Sequence, residues 1–143
     1  MKSVFLDSNI WLRLFLKDQE SQYGLTSSII RLINEGELRP YTSTIIFLEV
    51  NYVLKSFYGL SNEKTLHYLL KIKEVKNITV IEKENLDVAL KFYREYKIKF
   101  ADCLIASQIP DNVTLLSFDQ DFKKIKNLNY LLPSEFLSTL SRN

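Results

Sequence analysis

The sequence predicts an α/β fold in which helices flank a mostly parallel central sheet, organised as a single domain over residues 1–143. Short apolar runs, several rich in β-branched residues, alternate with longer segments that show helical spacing of apolar residues. Strands that alternate with helices in this way form parallel sheets with right-handed crossovers. A length of 143 residues suits one domain with a sizeable core, and only three Gly and three Pro leave little room for flexible linkers.

Composition excludes several classes of protein. Hydrophobic residues make up 46% of the chain and charged residues 25%, which is typical of a globular rather than a disordered protein. The single cysteine, Cys103, excludes an internal disulfide and a cysteine-based zinc site and suits a reducing compartment. Neither a secretory signal nor an apolar run of about 20 residues, as a membrane helix needs, is visible, so we expect a cytoplasmic location. The net charge of +2 is too small to predict a nucleic-acid partner by itself.

The first half of the chain predicts three strands and four helices. Val4-Phe5-Leu6 has the composition of a short buried strand, and Gly36 ends the second helix. Ser61 stands at an N-cap position, although Lys64 replaces the acid that would complete a capping box. In chain order we predict a strand at 4–6, helices at 9–17 and about 22–35, a strand ending at 41–43, helices at about 44–57 and 62–75, and a strand at 78–81.

The second half continues the alternation. Val113-Thr114-Leu115-Leu116 is the clearest strand by its β-branched content. In chain order we predict helices at 83–96 and 101–109, a strand at 113–116, a short helix near 120–126, a weak strand at 129–131 and a helix after Pro133. Because ligands of such sheets lie beyond the carboxyl ends of the strands, the residues that follow each strand are the first candidates for a functional site.

Two acids follow predicted strands. Asp7 comes directly after the first strand, and Asp119 comes three residues after the strand at 113–116. Asp7 suits a ligand position and equally suits the N-cap of the next helix. The segment around Asp119 also holds Asp121, and acids in surface turns are common. The local pattern therefore leaves both interpretations of each acid open.

Glu49 lies beside an apolar stripe in the predicted helix at 44–57. The stripe has helical spacing and consists of Ile46, Val50, Val53 and Phe57. A carboxylate in this setting loses solvation unless a cation or hydrogen-bond donors compensate. Two interpretations remain: a partly buried Glu paired with Lys or Arg, and a metal ligand.

Asp102 opens the buried face of the helix at 101–109, ahead of Ile105, Ala106 and Ile109. An acid in the first turn also stabilises the helix dipole, so this position alone does not decide its role. Four acids in all fall where an α/β sheet gathers its functional residues, and clustered carboxylates coexist only with cations or with partial protonation. Oxygen ligands suit Mg²⁺ or Mn²⁺, ions that serve phosphodiester hydrolysis by activating water.

Four segments in order resemble the PIN-domain family, in particular the VapC-type toxin ribonucleases. The segments are LDSN at 6–9, FLEV at 47–50, FADCLIAS at 100–107 and SFDQDF at 117–122. Their order and spacing match the family over nearly the whole chain. Departures are mild, since Ser8 and Ser117 stand where the family frequently has Thr.

The resemblance implies a PIN fold and an endoribonuclease that depends on Mg²⁺ or Mn²⁺ and attacks RNA with metal-activated water. The acids that would bind the metal and catalyse are Asp7, Glu49, Asp102 and Asp119. Asn9 and Ser117 would support them by hydrogen bonds, and Ser8 is left to cap the first helix. Asp121 competes with Asp119 for the fourth place, and we favour Asp119.

The resemblance also implies a protein antitoxin and a homodimer. Between Ile10 and Leu16 the first helix is apolar nearly all round, with Arg13 as the one charged residue of this stretch, so it is either buried or part of an interface that the antitoxin covers. Two alternatives to a toxin remain open: a PIN nuclease of RNA processing, and a non-catalytic PIN-like module that binds RNA or protein. An aspartyl-nucleophile phosphatase is disfavoured, because Asn9 stands where that class has a second Asp.

The remaining chemistry-bearing residues favour structural roles. His67 is the only histidine, and we expect it at the surface or in a packing role. Cys103 is expected to be a small packing residue. Candidate contacts to RNA phosphates, although a solvated face explains any one of them, are Lys97, Lys99, Lys123, Lys124 and Lys126.

Overall fold

The computed structural model describes residues 1–141, so the last two residues of the predicted domain at 1–143 lie outside the described residues. The predicted elements are present and differ mainly at their ends, where boundaries are least defined. In chain order they are β1 (Lys2–Leu6), α1 (Ser8–Leu16), α2 (Glu20–Asn34), β2 (Leu38–Ser43), α3 (Thr44–Tyr52), α4 (Asn62–Lys73), β3 (Thr79–Ile81), α5 (Leu86–Tyr96), α6 (Phe100–Gln108), β4 (Val113–Leu116), β5 (Tyr130–Leu131) and α7 (Pro133–Leu140). A π-helical turn (Val53–Phe57) follows α3, and a 3-10 turn (Gln120–Lys124) lies between β4 and β5.

The five strands form one parallel sheet in the order β3-β2-β1-β4-β5, which confirms the predicted fold class. β1 is central, with Val4 beside Pro40 of β2 on one side and Thr114 of β4 on the other. The chain steps outward from β1 to β2 and β3 and then crosses back to β4. The direction of winding therefore reverses between β1 and β4. At such a point the loops beyond two neighbouring strands diverge and leave a crevice at their carboxyl ends.

The core lies against the central strand. Val4, Phe5 and Leu6 are all fully buried, as expected for a parallel strand covered by helices on both faces. Right-handed crossovers place α1 to α4 on one face of the sheet and α5 and α6 on the other. Burial of each such side chain contributes roughly 1.5–3 kcal/mol, so β1 is a firm support for the residue that follows it.

Burial in the core explains why the first residues of helix α1 are apolar. Ile10, Trp11 and Leu12 are buried, whereas Phe15 and Leu16 near its end are half-buried. The interface role therefore remains open only for the outer end of α1. Although α1 and α3 are apolar, no helix within residues 1–141 is both long and apolar enough to cross a membrane.

The predicted helix at 44–57 is divided into α3 and the π-helical turn. A π-helical turn holds more residues than an α-helical one, so the apolar positions after it move round the axis. Leu54 takes the buried position that follows Ile46 and Val50, whereas Phe57 is 82% exposed. The prediction that Phe57 belongs to the buried stripe is wrong for this reason.

Candidate metal-binding site

Asp7 lies at the carboxyl end of β1, in the crevice beside β4. Its backbone N–H extends the sheet by donating to the Leu116 carbonyl at 3.1 Å. Its buried carboxylate accepts two hydrogen bonds, from the Ser8 backbone N–H to Oδ1 at 2.8 Å and from the Ser117 hydroxyl to Oδ2 at 2.6 Å. Asp7 is also the N-cap residue of α1, so the expectation that Ser8 caps this helix is wrong. Capping uses one carboxylate oxygen and leaves the other directed towards β4.

Ser117 connects three site residues through one hydroxyl. Besides donating to Asp7, its Oγ accepts from Asn9 Nδ2 and from the Asp119 backbone N–H, both at 3.0 Å. Asn9 makes a second hydrogen bond to the same loop, since its Oδ1 accepts from the Phe118 N–H at 3.2 Å. The loops that follow β1 and β4 are therefore joined by side chains, which explains how an acid on each loop is held in place.

Asp119 and Asp121 differ in their surroundings. Asp119 is half-buried and caps the 3-10 turn by accepting the Asp121 backbone N–H at 2.9 Å. The Asp121 carboxylate instead forms a surface ion pair with Lys124 at 3.3 Å. Asp119 thus faces the crevice acids, while Asp121 has a partner of its own.

Glu49 and Asp102 approach from helices, and each has one carboxylate oxygen without a hydrogen-bond partner among the described residues. Glu49 is half-buried on α3, and Asp102 is buried in the first turn of α6. Glu49 Oε1 and Asp102 Oδ2 are buried and accept no hydrogen bond from the described residues. A buried polar atom without a partner is costly, by about 1–3 kcal/mol, so both oxygens are available to a ligand.

The pKa values show that the carboxylates share one electrostatic environment. Burial raises the pKa of Asp7 to about 6, and the hydrogen bonds from Ser117 and Ser8 limit this rise, to which Asp119 adds. Burial, followed by the charges of Asp7 and Asp102, raises the pKa of Glu49 to about 7. Burial and the charges of Asp7 and Asp119 raise the pKa of Asp102 to about 7 as well. Asp7, Glu49 and Asp102 are therefore harder to ionise, first because they are buried and then because other carboxylates are near.

These residues fit a hard divalent cation in their chemistry. The donors are all oxygen atoms, which Mg²⁺ and Mn²⁺ prefer, and two of those oxygens have no other partner. Within residues 1–141, no three acidic, His or Cys side chains converge to a closed ligand set. A cation among the acids would turn their mutual repulsion into attraction.

Comparison with known proteins identifies the family. A sequence model of the PIN domain matches residues 4–128. The chain belongs to the PIN-domain family. PIN domains are nucleases, which places the chain in a class of enzymes that hydrolyse phosphodiester bonds. The matched region contains all four acids, together with Asn9 and Ser117.

Solved structures similar to this PIN domain include three protein complexes. VapBC2 from Rickettsia felis, bound to a DNA fragment from its promoter, is 21% identical with a TM-score of 0.66, over 91% of this chain and 98% of that one. VapBC-1 from nontypeable Haemophilus influenzae is 19% identical with a TM-score of 0.66, over 92% and 98%. A toxin–antitoxin complex from Klebsiella pneumoniae is 20% identical with a TM-score of 0.59, over 91% and 97%. At these identities the likeness shows the fold; among curated proteins, none matches in sequence comparison.

The other candidate residues of this PIN domain lie apart from the acids or at their edge. His67 is exposed beside the Tyr68 ring, and Cys103 is fully buried, both as predicted. Lys99 precedes α6, and its charge lowers the pKa of both Glu49 and Asp102. The candidate lysines, all exposed, are Lys97, Lys99, Lys123, Lys124 and Lys126.

A large cavity lies apart from the acids. It has a volume of about 730 Å³ and lies between the end of α1 and the start of α4. Its apolar lining includes Phe15, Leu16, Leu60 and Tyr68, and His67 contributes to its rim. None of the four acids lines it, so it is a separate surface feature.

Sequence reasoning missed one residue of the hydrogen-bond network. The Tyr130 hydroxyl donates to the Ser117 carbonyl oxygen at 3.0 Å. Nothing in the weak strand at 129–131 marks this tyrosine. Identifying Tyr130 from the sequence would have required knowing that β5 pairs with β4.

Proposed function

We propose that this PIN domain is a metal-dependent endoribonuclease, the toxin of a toxin–antitoxin pair. The metal ligands and catalytic acids are Asp7, Glu49, Asp102 and Asp119. The observation that carries the proposal is their electrostatic coupling at the crevice, together with the unpaired buried oxygens of Glu49 and Asp102. Oxygen ligands favour Mg²⁺ or Mn²⁺ as the ion.

The chain's own residues organise the site before substrate arrives. Ser117 favours the ionised form of Asp7 by donating to it, and Asn9 fixes the loop that carries Asp119. Lys99 provides positive charge next to Glu49 and Asp102, which suits the approach of a phosphate group. Asp7, Glu49, Asp102 and Asp119 would hold the ion, which would supply the chemistry of an activated water and of charge neutralisation. No nucleophilic side chain is required.

We assign the fourth acid to Asp119 rather than to Asp121. The charge of Asp119 acts on both Asp7 and Asp102, whereas Asp121 acts weakly on Asp102 alone. Asp121 is also engaged by Lys124. Its backbone N–H orients the Asp119 carboxylate, so its contribution comes through its neighbour.

RNA as substrate and a protein antitoxin as partner are supported by the family and by the similar complexes. The neighbours include two VapBC proteins and a toxin–antitoxin complex. We place the reaction in the cytoplasm, in keeping with a lone, buried cysteine. A PIN nuclease of RNA processing remains the alternative and would share the same acids.

The decisive experiment is metal-dependent cleavage of single-stranded RNA by the purified protein. We expect cleavage with Mg²⁺ or Mn²⁺, none with chelator, and loss of cleavage in Asp7→Asn and Asp102→Asn. Asp111→Asn, at an exposed acid outside the cluster, is the matched control and should cleave normally. Equal cleavage by all variants contradicts the proposal, and RNA binding without cleavage by the wild type supports the non-catalytic module instead.

The antitoxin is proposed to cover the cavity at the end of α1. Phe15, Leu16 and Tyr68 offer an apolar surface there, and its charged lining residues, Glu63 and Lys64, are of opposite sign. The apolar face of an amphipathic segment fits this surface. The partner to test is the product of a small reading frame beside the gene.

A variant pair tests this surface by titration calorimetry with that partner. Leu16→Asp should weaken binding at least about 10-fold, because burying an unpaired charge is costly. Leu66→Asp, at an exposed α4 position that does not line the cavity, is the control and should bind normally. Equal effects of the two substitutions contradict this location.

The expected homodimer is proposed to form through α5. Leu86, Leu90 and Tyr93 are exposed in one row along this helix, with Asp87 and Arg94 flanking the row. A two-fold axis at Leu90 pairs the rows antiparallel and sets Asp87 of one protomer against the partner's Arg94. The face thus pairs an apolar row with its own copy and sets opposite charges against each other.

A charge exchange tests this dimer by light scattering. Asp87→Arg and Arg94→Asp should each shift the protein towards monomer, since each sets like charges against one another. The double variant should restore the dimer, because the opposed pairs return with their signs exchanged. A double variant as monomeric as the single ones contradicts the α5 interface.

A further inference from the structure

Ser117 is the point on which three site residues depend. A hydroxyl has one proton to donate and two lone pairs to accept, and all three capacities of Ser117 are used. It donates to Asp7 and accepts from Asn9 and from the Asp119 N–H. A displacement of Ser117 therefore disturbs all three residues together.

Ser117 lies just beyond the end of β4, where the chain leaves the sheet. The Tyr130 hydroxyl donates to its carbonyl oxygen at 3.0 Å. Ser117 is consequently held from two directions, by the acid network through its side chain and by Tyr130 through its main chain.

Tyr130 is itself firmly placed. It lies in β5, where it pairs with Leu115 of β4. Its ring packs on the fully buried Phe122 ring, with centroids 5.7 Å apart, and Phe122 belongs to the turn that follows Asp119. Burial, followed by the charges of Asp119 and Glu135, raises the pKa of the phenol, so it remains a neutral donor.

We propose that Tyr130 is a positioning residue of the site, holding Ser117 so that Asp7, Asn9 and Asp119 keep their mutual orientation. The inference rests on the proposed function for its catalytic consequence. The Tyr130 hydroxyl donates to the Ser117 main chain rather than to one of the four acids. Its effect passes through Ser117, and misplacement of reacting groups by a fraction of an ångström to 1 Å is enough to slow an enzyme substantially.

Tyr130→Phe tests the proposal because it removes the hydroxyl and keeps the ring on Phe122. The matched control is Tyr96→Phe, at a half-buried tyrosine whose ring packs on Phe92 at 5.8 Å. The first readout is amide hydrogen exchange in metal-free protein. The Phe118 and Asp119 amides should exchange about 10-fold faster in Tyr130→Phe, as hydrogen-bonded amides do when their local structure opens more readily. They should be unchanged in Tyr96→Phe.

The second readout is RNA cleavage. Tyr130→Phe should lower kcat about 10-fold with KM within about 2-fold, because acid orientation rather than RNA binding is disturbed. Replacing Tyr130 by 4-aminophenylalanine, which restores a donor, should recover both readouts. This variant also covers the case in which Tyr130→Phe folds poorly.

The outcomes separate this inference from the proposed function. Unchanged exchange at Phe118 and Asp119 overturns the positioning role, and so does faster exchange with unchanged kcat. A wild-type protein that does not cleave RNA overturns the proposed function; faster exchange confined to Tyr130→Phe would then still support the role of Tyr130 in holding Ser117.

Discussion

Asp7 and Asp119 reach the crevice from the ends of neighbouring strands, whereas Glu49 and Asp102 reach it from helices. The strand-borne pair is tied together by Ser117, which donates to one acid and accepts from the backbone of the other. The helix-borne pair presents buried oxygens without partners. One half of the site is thus bonded internally, and the other half is open to a ligand.

The pKa values translate this difference into electrostatics. Asp7 is buried, yet its pKa of about 6 lies below the value of about 7 for Glu49 and Asp102. Hydrogen bonds from Ser117 and Ser8 limit the rise in the pKa of Asp7, since they stabilise the ionised carboxylate. Asp7 is therefore stabilised as an anion by its hydrogen bonds, while a cation beside Glu49 and Asp102 would favour their ionisation.

Asp102→Asn should produce the largest effect in the open half. We expect kcat for RNA cleavage to fall at least about 100-fold, because a charged ligand oxygen is lost. Without metal, the unfolding free energy should rise by about 1 kcal/mol above pH 7, because one of the repelling charges is removed. Steady-state kinetics and thermal melts measure the two effects. A variant that is both inactive and less stable than the wild type would contradict this account.

Ser117→Ala should remove the hydrogen bonds that connect Asp7 with the loop carrying Asp119. The pKa of Asp7 should rise above its value of about 6, because a hydrogen bond that lowers it is removed. The Asn9 amide and the Asp119 N–H lose their acceptor, which should lower the unfolding free energy by about 1–3 kcal/mol. Carboxyl-carbon NMR titration and denaturant melts provide the measurements.

Ser117→Thr is the control for this change, since it keeps the hydroxyl. Its Asp7 titration should match that of the wild type. A shift of equal size in Ser117→Ala and Ser117→Thr would show that packing, and not the hydrogen bond, sets the pKa of Asp7.

The stability of the metal-free protein should depend on pH because Glu49 and Asp102 titrate at different pH in the folded and unfolded chains. The folded-state pKa values of Glu49 and Asp102 are about 7, above the ordinary 4.5 and 3.8, so the folded chain keeps these protons to higher pH than the unfolded chain. Their contribution to stability is complete below about pH 4 and is lost as pH rises through about 7. Thermal melts across this range should show a declining midpoint.

Added Mn²⁺ should oppose that decline. Ligand binding to the folded state requires ionised carboxylates, so the increase in melting temperature caused by the ion should grow from pH 5 to pH 8. The double variant Glu49→Gln/Asp102→Asn should keep only the smaller decline that Asp7 causes as pH rises through about 6, and should not respond to the ion. A wild-type response that is independent of pH would contradict the role of these two acids.

Asp121→Asn should have the smallest effect. Its carboxylate pairs with Lys124 at the surface, and such pairs contribute about 0–1 kcal/mol. We expect kcat to change less than about 3-fold, against a loss of at least about 100-fold in Asp119→Asn. If the two variants lose activity equally, the fourth position is shared between them.

The sequence predicted the order of strands and helices, because that order depends on local patterns, whereas the set of four site acids stays a prediction. Apolar spacing located the helices, and the positions after the strands located Asp7 and Asp119. The exposure of Phe57 depends on a π-helical turn that apolar periodicity does not report. Tyr130 depends on the pairing of β5 with β4, a contact between distant segments, and therefore needed a three-dimensional structure.

The hydrogen bond between Ser117 and Asp7 joins residues 110 positions apart in the chain. Contacts of such large sequence separation form late and slowly during folding. At about 5–20 residues per second of synthesis, roughly 10 s pass between the emergence of β1 and of β4 from the ribosome. Throughout that interval Asp7 lacks Ser117 and Asp119, so the group of acids is incomplete until β4 and the loop after it have been made.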